Sequence, residues 1–486
     1  MVRVAAAAAA AAALALFLAL ANGQSTFRLA NYYKNDTVLQ MEPKEAVIWG
    51  FGTPGASIQV FRTGYEINVS VKSDGTWAVN LPQEPAGGPV TFEIIHNRTE
   101  SVSFDAWFGD VWVCSGQSNM EMPISQIFNS TEEANNALSY QNIRLLQVER
   151  IYSIDIELDE TFYSIAWETP SASNVPYFSA LCMLFGERLS QALGNSRPIG
   201  LIDSSWGGTD IEVWFSPRVP IYCLTPPNNG VEQNSESALW NGMIAPLTKT
   251  SVRGVIWYQG ENNVNKNPDY YSCHITAMVQ DWKKTFHQGN VSAENGVAFP
   301  FGIVQIGPTL PGLLGNYKWG FLRFHQTADQ GVLPNAFLPE SFYATAYDLT
   351  DRDAPTGQIH PRDKQTIADR LANAARNLIY GENFHSNGPT PINSYFASSE
   401  IFVITFDRNI KIVGTDGFTI QKTDGTWSAT SIVNASANSV DVVIEADAVL
   451  LTYAFRATVC EYKQCAIYSD DDEDLPAQVW KWDLTQ

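Results

Sequence analysis

Between about 107 and 381 the chain alternates short apolar, β-branched runs with amphipathic helical segments, and no other feature constrains its fold as much. Asp110-Val111-Trp112-Val113-Cys114, Leu145-Leu146-Gln147-Val148, Ile199-Gly200-Leu201-Ile202, Gly254-Val255-Ile256-Trp257-Tyr258 and Phe301-Gly302-Ile303-Val304-Gln305-Ile306 read as strands. Residues 178–193 and 365–380 read as helices, the second with Ile367, Leu371, Ala374, Ala375 and Leu378 on one face. Strands alternating with helices predict an α/β unit with a parallel sheet covered on both sides. In such sheets a functional site lies outside the carboxyl ends of the strands.

The flanks read differently. From about 27 to 104, Val47-Ile48-Trp49-Gly50, Ser57-Ile58-Gln59-Val60, Trp77-Ala78-Val79-Asn80 and Val90-Thr91-Phe92-Glu93-Ile94-Ile95 are short strands separated by Gly, Pro and Asp-Gly turns, the pattern of a small β-sandwich. The last hundred or so residues return to strands, including Ile401-Phe402-Val403-Ile404-Thr405-Phe406 and Val440-Asp441-Val442-Val443-Ile444, with Asp416-Gly417 and Asp424-Gly425 as expected hairpin turns. The expected division is a signal peptide over 1–21, an N-terminal β domain over 22–105, an α/β domain over 106–385 and a C-terminal β domain over 386–486.

Compartment follows from three signs. Arg3, an apolar run from 4 to 21 and the small-x-small site Ala19-Leu20-Ala21 match a cleaved secretory signal, and no basic cluster follows to make an anchor. Asn35, Asn68, Asn97, Asn129, Asn290 and Asn434 each begin a glycosylation sequon. Six cysteines can pair in an oxidising lumen: Cys460 with Cys465, Cys223 with Cys273, and Cys114 either bonded or a free core thiol. A net charge of −21 argues against nucleic acid, because phosphate binding needs basic surface. The acidic run from Asp470 to Asp474 lacks the spaced ligands of a calcium loop and reads as solvated. The expectation is a lysosomal or extracellular protein with no membrane anchor after cleavage.

Four segments carry the chemistry. Gly116-Gln117-Ser118-Asn119-Met120 ends the first α/β strand, so Ser118 stands at the mouth of a buried strand beside backbone N–H groups able to stabilise negative charge. Alone, the pentapeptide is equally readable as a surface turn. Trp206-Gly207-Gly208-Thr209 follows a second strand; locally it reads first as a simple βα turn, although paired glycines also let backbone approach a ligand. Gln259-Gly260-Glu261-Asn262-Asn263 follows a third, with a density of polar groups that packing alone does not justify. Finally, His360 lies in Ile359-His360-Pro361-Arg362-Asp363-Lys364-Gln365 at a helix start. Histidine has the pKa to take and return a serine proton. His96, His274, His287, His325 and His385 lack comparable neighbours.

These blocks, with Ala238-Leu239-Trp240-Asn241-Gly242-Met243-Ile244 and Cys460-Glu461-Tyr462-Lys463-Gln464-Cys465, resemble the sialate O-acetylesterase family in order and spacing over most of the chain. That family lies within the SGNH-type hydrolases, so the resemblance implies a flavodoxin-like core flanked by the two β-sandwich-like domains. It implies Ser118 as nucleophile, His360 as base, and an oxyanion hole from the backbone of Ser118 and Gly208 with a side chain from Gln259 or Asn262. The substrate would be an O-acetylated sugar or sialoglycan, and acyl transfer of this kind needs no metal or organic cofactor. Asp348, Asp351, Asp353 and His360 cluster in sequence, but a metal site there is not expected.

One position departs from the pattern. Many SGNH-type hydrolases carry an aspartate three residues before the histidine, where this chain has Gly357. His360 then works either in a dyad or with a carboxylate from elsewhere: Glu261 first, as in related acetylesterases with a Gln-Gly-Glu block, then Asp351 or Asp348. Alternative readings are an acetylesterase for other sugars such as xylan, and an inactive carbohydrate-binding glycoprotein.

Overall fold

The computed structural model describes residues 27–219, 223, 232–286, 298–309, 317–383, 385–471 and 474–485. The signal segment expected over 1–21, His287, Asn290, and Asp472 and Glu473 of the acidic run lie outside the described residues.

One strand of 17 residues, β1 (Glu100–Gly116), belongs to both the N-terminal layers and the α/β core. Its first half alternates, with Phe104 and Ala106 buried between exposed or half-buried neighbours, because one face meets the N-terminal β core. From Phe108 onward every residue is buried, as a strand covered on both faces requires. The boundary expected between 105 and 106 therefore falls inside a continuous strand. The first half pairs antiparallel with Gly87–His96 and parallel with Thr37–Gln40. A three-stranded sheet, Arg28–Leu29, Val47–Phe51 and Thr76–Asn80, contributes to the same core.

The second half of β1 is the centre of the α/β sheet. The other strands are β2 (Ile143–Val148), β3 (Tyr163–Glu168), β4 (Ile199–Ser205), β5 (Gly254–Tyr258), β6 (Phe301–Gln305) and β7 (Ser341–Thr345). Their order is β3-β2-β4-β1-β5-β6-β7, parallel throughout except for β3. The chain builds outward on one side of β1, returns, and continues on the other, so the ends of β4, β1 and β5 form a topological switch point.

The helices are α1 (Ser118–Glu121), α2 (Ser130–Ala137), α3 (Ala180–Ala192), α4 (Tyr271–Thr285), α5 (Lys318–His325) and α6 (Lys364–Tyr380). Trp112 meets Phe185 of α3 edge-on at 5.0 Å, whereas Trp257 meets Trp282 of α4 at 5.9 Å. Trp257 is in register with Ser115, which points opposite to Trp112 and Cys114, so α3 and α4 cover opposite faces. This is the doubly covered parallel sheet that the alternation predicts. Cys114 is not a free thiol: it bonds Cys182 of α3, tying the central strand to its covering helix. The pairs Cys223–Cys273 and Cys460–Cys465 form as expected.

The C-terminal residues form antiparallel sheets around a second core that contains Phe402, Ile404, Ile420 and Leu451. Asp424-Gly425 turns the hairpin between Phe418–Lys422 and Trp427–Thr430. Asp416-Gly417 does not turn a hairpin. Ile410–Ile412 before it pairs with Ile467–Ser469, so the turn passes the chain from one sheet to another. Among the described residues no helix is long and apolar enough to cross a membrane.

Candidate active site

At the carboxyl end of β1 the backbone must pass very close to β5. A β carbon on Gly116 would lie 2.2 Å from the Tyr258 carbonyl oxygen, and Gly116 has φ +134°. Only glycine fits there. Gln117 N–H then donates to the Tyr258 carbonyl at 2.9 Å, and Trp206 N–H donates to that of Gly116 at 3.0 Å. The exits of β4, β1 and β5 are stitched together one residue before Ser118.

Ser118 opens α1, and its Oγ lies 2.8 Å from Nε2 of His360. The two residues are 242 positions apart in sequence. Gly207 lies beside the serine: a β carbon there would stand 3.1 Å from that of Ser118. Gly208 has φ +72° and open space over its α carbon. Among the described residues, the backbone N–H groups of Ser118 and Gly208 take no protein acceptor. Glu121 accepts the Gly207 N–H and pairs with Arg150 at 2.9 Å, which fixes this glycine loop to α1.

The two amides expected in the oxyanion hole are committed elsewhere. Gln259 is wholly buried; its Nε2 donates to the Thr209 carbonyl at 3.0 Å and to Asn263 Oδ1 at 2.7 Å, and its Oε1 accepts from the Tyr271 hydroxyl. Asn262 Nδ2 donates to the Gly208 carbonyl at 3.3 Å and to Asp210. A primary amide has two N–H groups, so neither side chain retains a donor for a ligand. Both instead brace the loop that presents the Gly208 N–H.

The histidine's orienting group also departs from expectation. His360 Nδ1 lies 2.8 Å from the backbone carbonyl of Thr356, within its own loop. Gly357, φ +95°, makes the turn that brings this carbonyl round. Since a carbonyl can only accept, Nδ1 carries the proton and Nε2 presents its lone pair to Ser118. None of the three candidate carboxylates makes a hydrogen bond to the ring. Asp351 forms a two-pronged pair with Arg362 at 2.7 and 2.9 Å. Asp348 does the same with Arg370 of α6 at 2.7 and 2.8 Å. Glu261 accepts from Asn119 Nδ2 at 2.6 Å.

Asn119 is the site residue whose role sequence reasoning passed over. Its amide donates to Glu261 and, at 2.9 Å, to the Ile359 carbonyl, while its oxygen accepts from Lys364 Nζ at 2.9 Å. Lys364 also donates to the Pro361 carbonyl at 2.6 Å. One buried side chain beside Ser118 thus holds the carbonyl before His360, and the lysine bound to it holds the carbonyl after. The signal was present, as an amide directly after the serine and a lysine four residues after the histidine.

Charge in this cluster is muted by burial. Burial raises the Glu261 carboxyl, with Asn119 and Lys364 opposing, and lowers Lys364 to about 7, with Glu261 opposing. Burial likewise pulls His360 below its ordinary value; the Thr356 carbonyl and Glu121 oppose that, while Lys364 adds to it. A neutral imidazole beside a serine hydroxyl, with unpartnered N–H groups nearby, is equipped for general-base activation of a nucleophile. Among the described residues no group of three or more His, Cys, Asp or Glu side chains is placed to hold a metal ion.

Of the sequon asparagines, Asn35, Asn68, Asn97, Asn129 and Asn434 are all exposed.

Residues 108–296 match the family model described as carbohydrate esterase, sialic acid-specific acetylesterase, and residues 393–484 match the sialate O-acetylesterase C-terminal domain. The sialate O-acetylesterase of Homo sapiens is 42% identical over 485 residues, covering 93% of this chain and 91% of its own. That of Mus musculus is 39% identical, covering 91% and 92%. Among solved structures, a carbohydrate acetylesterase from Xanthomonas citri superposes with a TM-score of 0.79 at 26% identity, covering 94% of this chain and 99% of its own.

Proposed function

The chain belongs to the sialate O-acetylesterase family and is a carboxylic ester hydrolase, and from that premise we propose that it removes O-acetyl groups from sialic acids by acyl transfer through Ser118. The observation that carries the assignment is the 2.8 Å approach of His360 Nε2 to Ser118 Oγ at the switch point of the sheet. His360 takes the hydroxyl proton as Oγ attacks the acetyl carbonyl carbon. The N–H groups of Ser118 and Gly208 receive the oxyanion of the tetrahedral intermediate. Collapse expels the sugar alcohol, to which His360 returns the proton. Water activated by the same imidazole then attacks acetyl-Ser118, releasing acetate and restoring the serine. Ser118 and His360 act as a dyad, with the Thr356 carbonyl in the place of an acid.

The α/β region, from the second half of β1 to about residue 385, carries this chemistry, and the β regions before and after it support it. Passage through the secretory route to a lysosomal or extracellular destination fits the three disulfides, which persist in oxidising compartments. The exposed sequons fit the same route.

Acetate release from 9-O-acetylated sialic acid and from acetylated xylan, measured side by side, tests the substrate. Preference for the sialic acid is expected, and equal or faster release from xylan would assign the site to neutral sugars. A fluorophosphonate probe should label Ser118; absence of labelling in folded protein would favour a binding protein without catalysis.

A further inference from the structure

The loop that carries His360 is long, polar and largely outside secondary structure, spanning the end of β7 to the start of α6. Such a segment needs external contacts to hold one ring nitrogen at a fixed distance from a serine. Its own bonds are local: Gly357 N–H to the Ala354 carbonyl, His360 N–H to the Gly357 carbonyl, and Arg362 to Asp351. Asn119 and Lys364 hold the carbonyls on either side of His360 from beneath. The outer side is held from a distant part of the chain.

Cys460-Glu461-Tyr462-Lys463-Gln464-Cys465 is closed into a ring by its disulfide, and residues 461–464 are exposed. It bonds the histidine loop on both flanks. Before His360, Lys463 N–H donates to the Asp348 carbonyl at 2.7 Å, the Thr350 hydroxyl donates to the Cys460 carbonyl at 2.6 Å, and Arg352 pairs with Glu461. After His360, the Tyr462 hydroxyl donates to Asp363 at 2.6 Å and Lys463 Nζ donates to the Thr366 hydroxyl at 2.8 Å. Asp363 is the N-cap of α6, accepting the Thr366 N–H at 2.9 Å, so the contact reaches the helix start that sets the loop's exit.

We propose that the disulfide-closed hexapeptide Cys460–Cys465 is a clamp on the catalytic-histidine loop, with Tyr462 and Lys463 as positioning residues for His360. The proposal rests on the assignment of His360 as base. A ring of six residues fixed by a disulfide loses little further entropy on making these contacts, which suits it to imposing geometry on a flexible partner. It also gives the C-terminal β region a part in catalysis although it brings no group to Ser118.

The test compares Tyr462→Phe, Lys463→Ala, Lys463→Arg and the double variant Cys460→Ser/Cys465→Ser with the parent protein. Readouts are kcat, KM, the pH dependence of kcat, fluorophosphonate labelling and Tm. The clamp predicts kcat lowered about tenfold or more in the double variant and less in Tyr462→Phe and Lys463→Ala, with KM changed under about twofold. Lys463→Arg restores turnover. A loosened ring regains water and moves away from Lys364 of α6, both of which raise its pKa; separation from the Thr356 carbonyl and from Glu121 of α1 acts the other way, but burial is the largest influence, so the acid limb of kcat moves up toward the ordinary histidine range. Unchanged kcat and pH dependence, with only a lower Tm, would make the hexapeptide a fastener between regions and overturn the clamp. If the double variant does not fold, the single substitutions decide by the same criteria. Parent protein that neither releases acetate nor takes the label would instead overturn the esterase reading itself.

Discussion

At the scale of single residues, the proposed mechanism turns on what orients His360. A ring held by a backbone carbonyl keeps its tautomer without a buried carboxylate, and Glu261 belongs to a different cluster with Asn119 and Lys364. Glu261→Gln should therefore lower kcat by less than about tenfold, since the new amide can still accept from Asn119. A triad acid replaced by its amide costs about 10⁴-fold, and a loss of that size would restore Glu261 to the relay. The histidine's lowered pKa also has a direction to test. Neutral imidazole is the competent base, and a lowered pKa extends its population to more acid pH. The acid limb of kcat/KM should lie below pH 6.5, the ordinary histidine value; a limb above it would mean that the ring is solvated or paired with an acid.

Elements differ in how far the sequence disclosed them. Gly254–Tyr258 was legible to the residue, because a fully buried parallel strand writes an unbroken apolar run. The pairing of Ser118 with His360 was legible because the chemistry proposed for them demands particular side chains at strand and helix ends. The Thr356 contact was not, since a backbone carbonyl leaves no mark in the residue that carries it. Glu261 misled for a related reason: a carboxylate's partner is set by which distant segments fold over it, here the Asn119 amide. Asp416-Gly417 misled because turn chemistry fixes a local bend and not which strands pair beyond it. Gly357 sharpens the point. Its φ of +95° costs an L-residue about 1–2 kcal/mol, although no atom lies within 4 Å of an added β carbon. Gly357→Ala should leave substrate binding intact and lower kcat by displacing the Thr356 carbonyl; wild-type turnover would mean that this carbonyl does not set the ring.

Across the whole molecule the three regions are joined by one shared strand and by buried polar groups, not by linkers alone. β1 serves both the N-terminal core and the catalytic sheet. On the other side, wholly buried Arg323 of α5 donates to the carbonyls of Ile306 and Gly307 after β6 and to those of Ala454, Arg456 and Ala457 in the C-terminal region, at 2.8–3.0 Å. Burial lowers its pKa to about 9, still leaving it charged at neutral pH. Arg323→Met removes every one of these donors and should cost at least about 3 kcal/mol in urea unfolding, because buried carbonyls are left without partners. A loss under about 1 kcal/mol would show that the two regions do not depend on this junction.

The central claim is that Ser118, activated by His360, is the group acetylated during turnover. Acetate release by Ser118→Ala, beside the parent protein and at equal folded concentration, tests it most directly. Loss of kcat by at least about 10⁴-fold is the predicted result, and retention of more than about a tenth of parental turnover would contradict it.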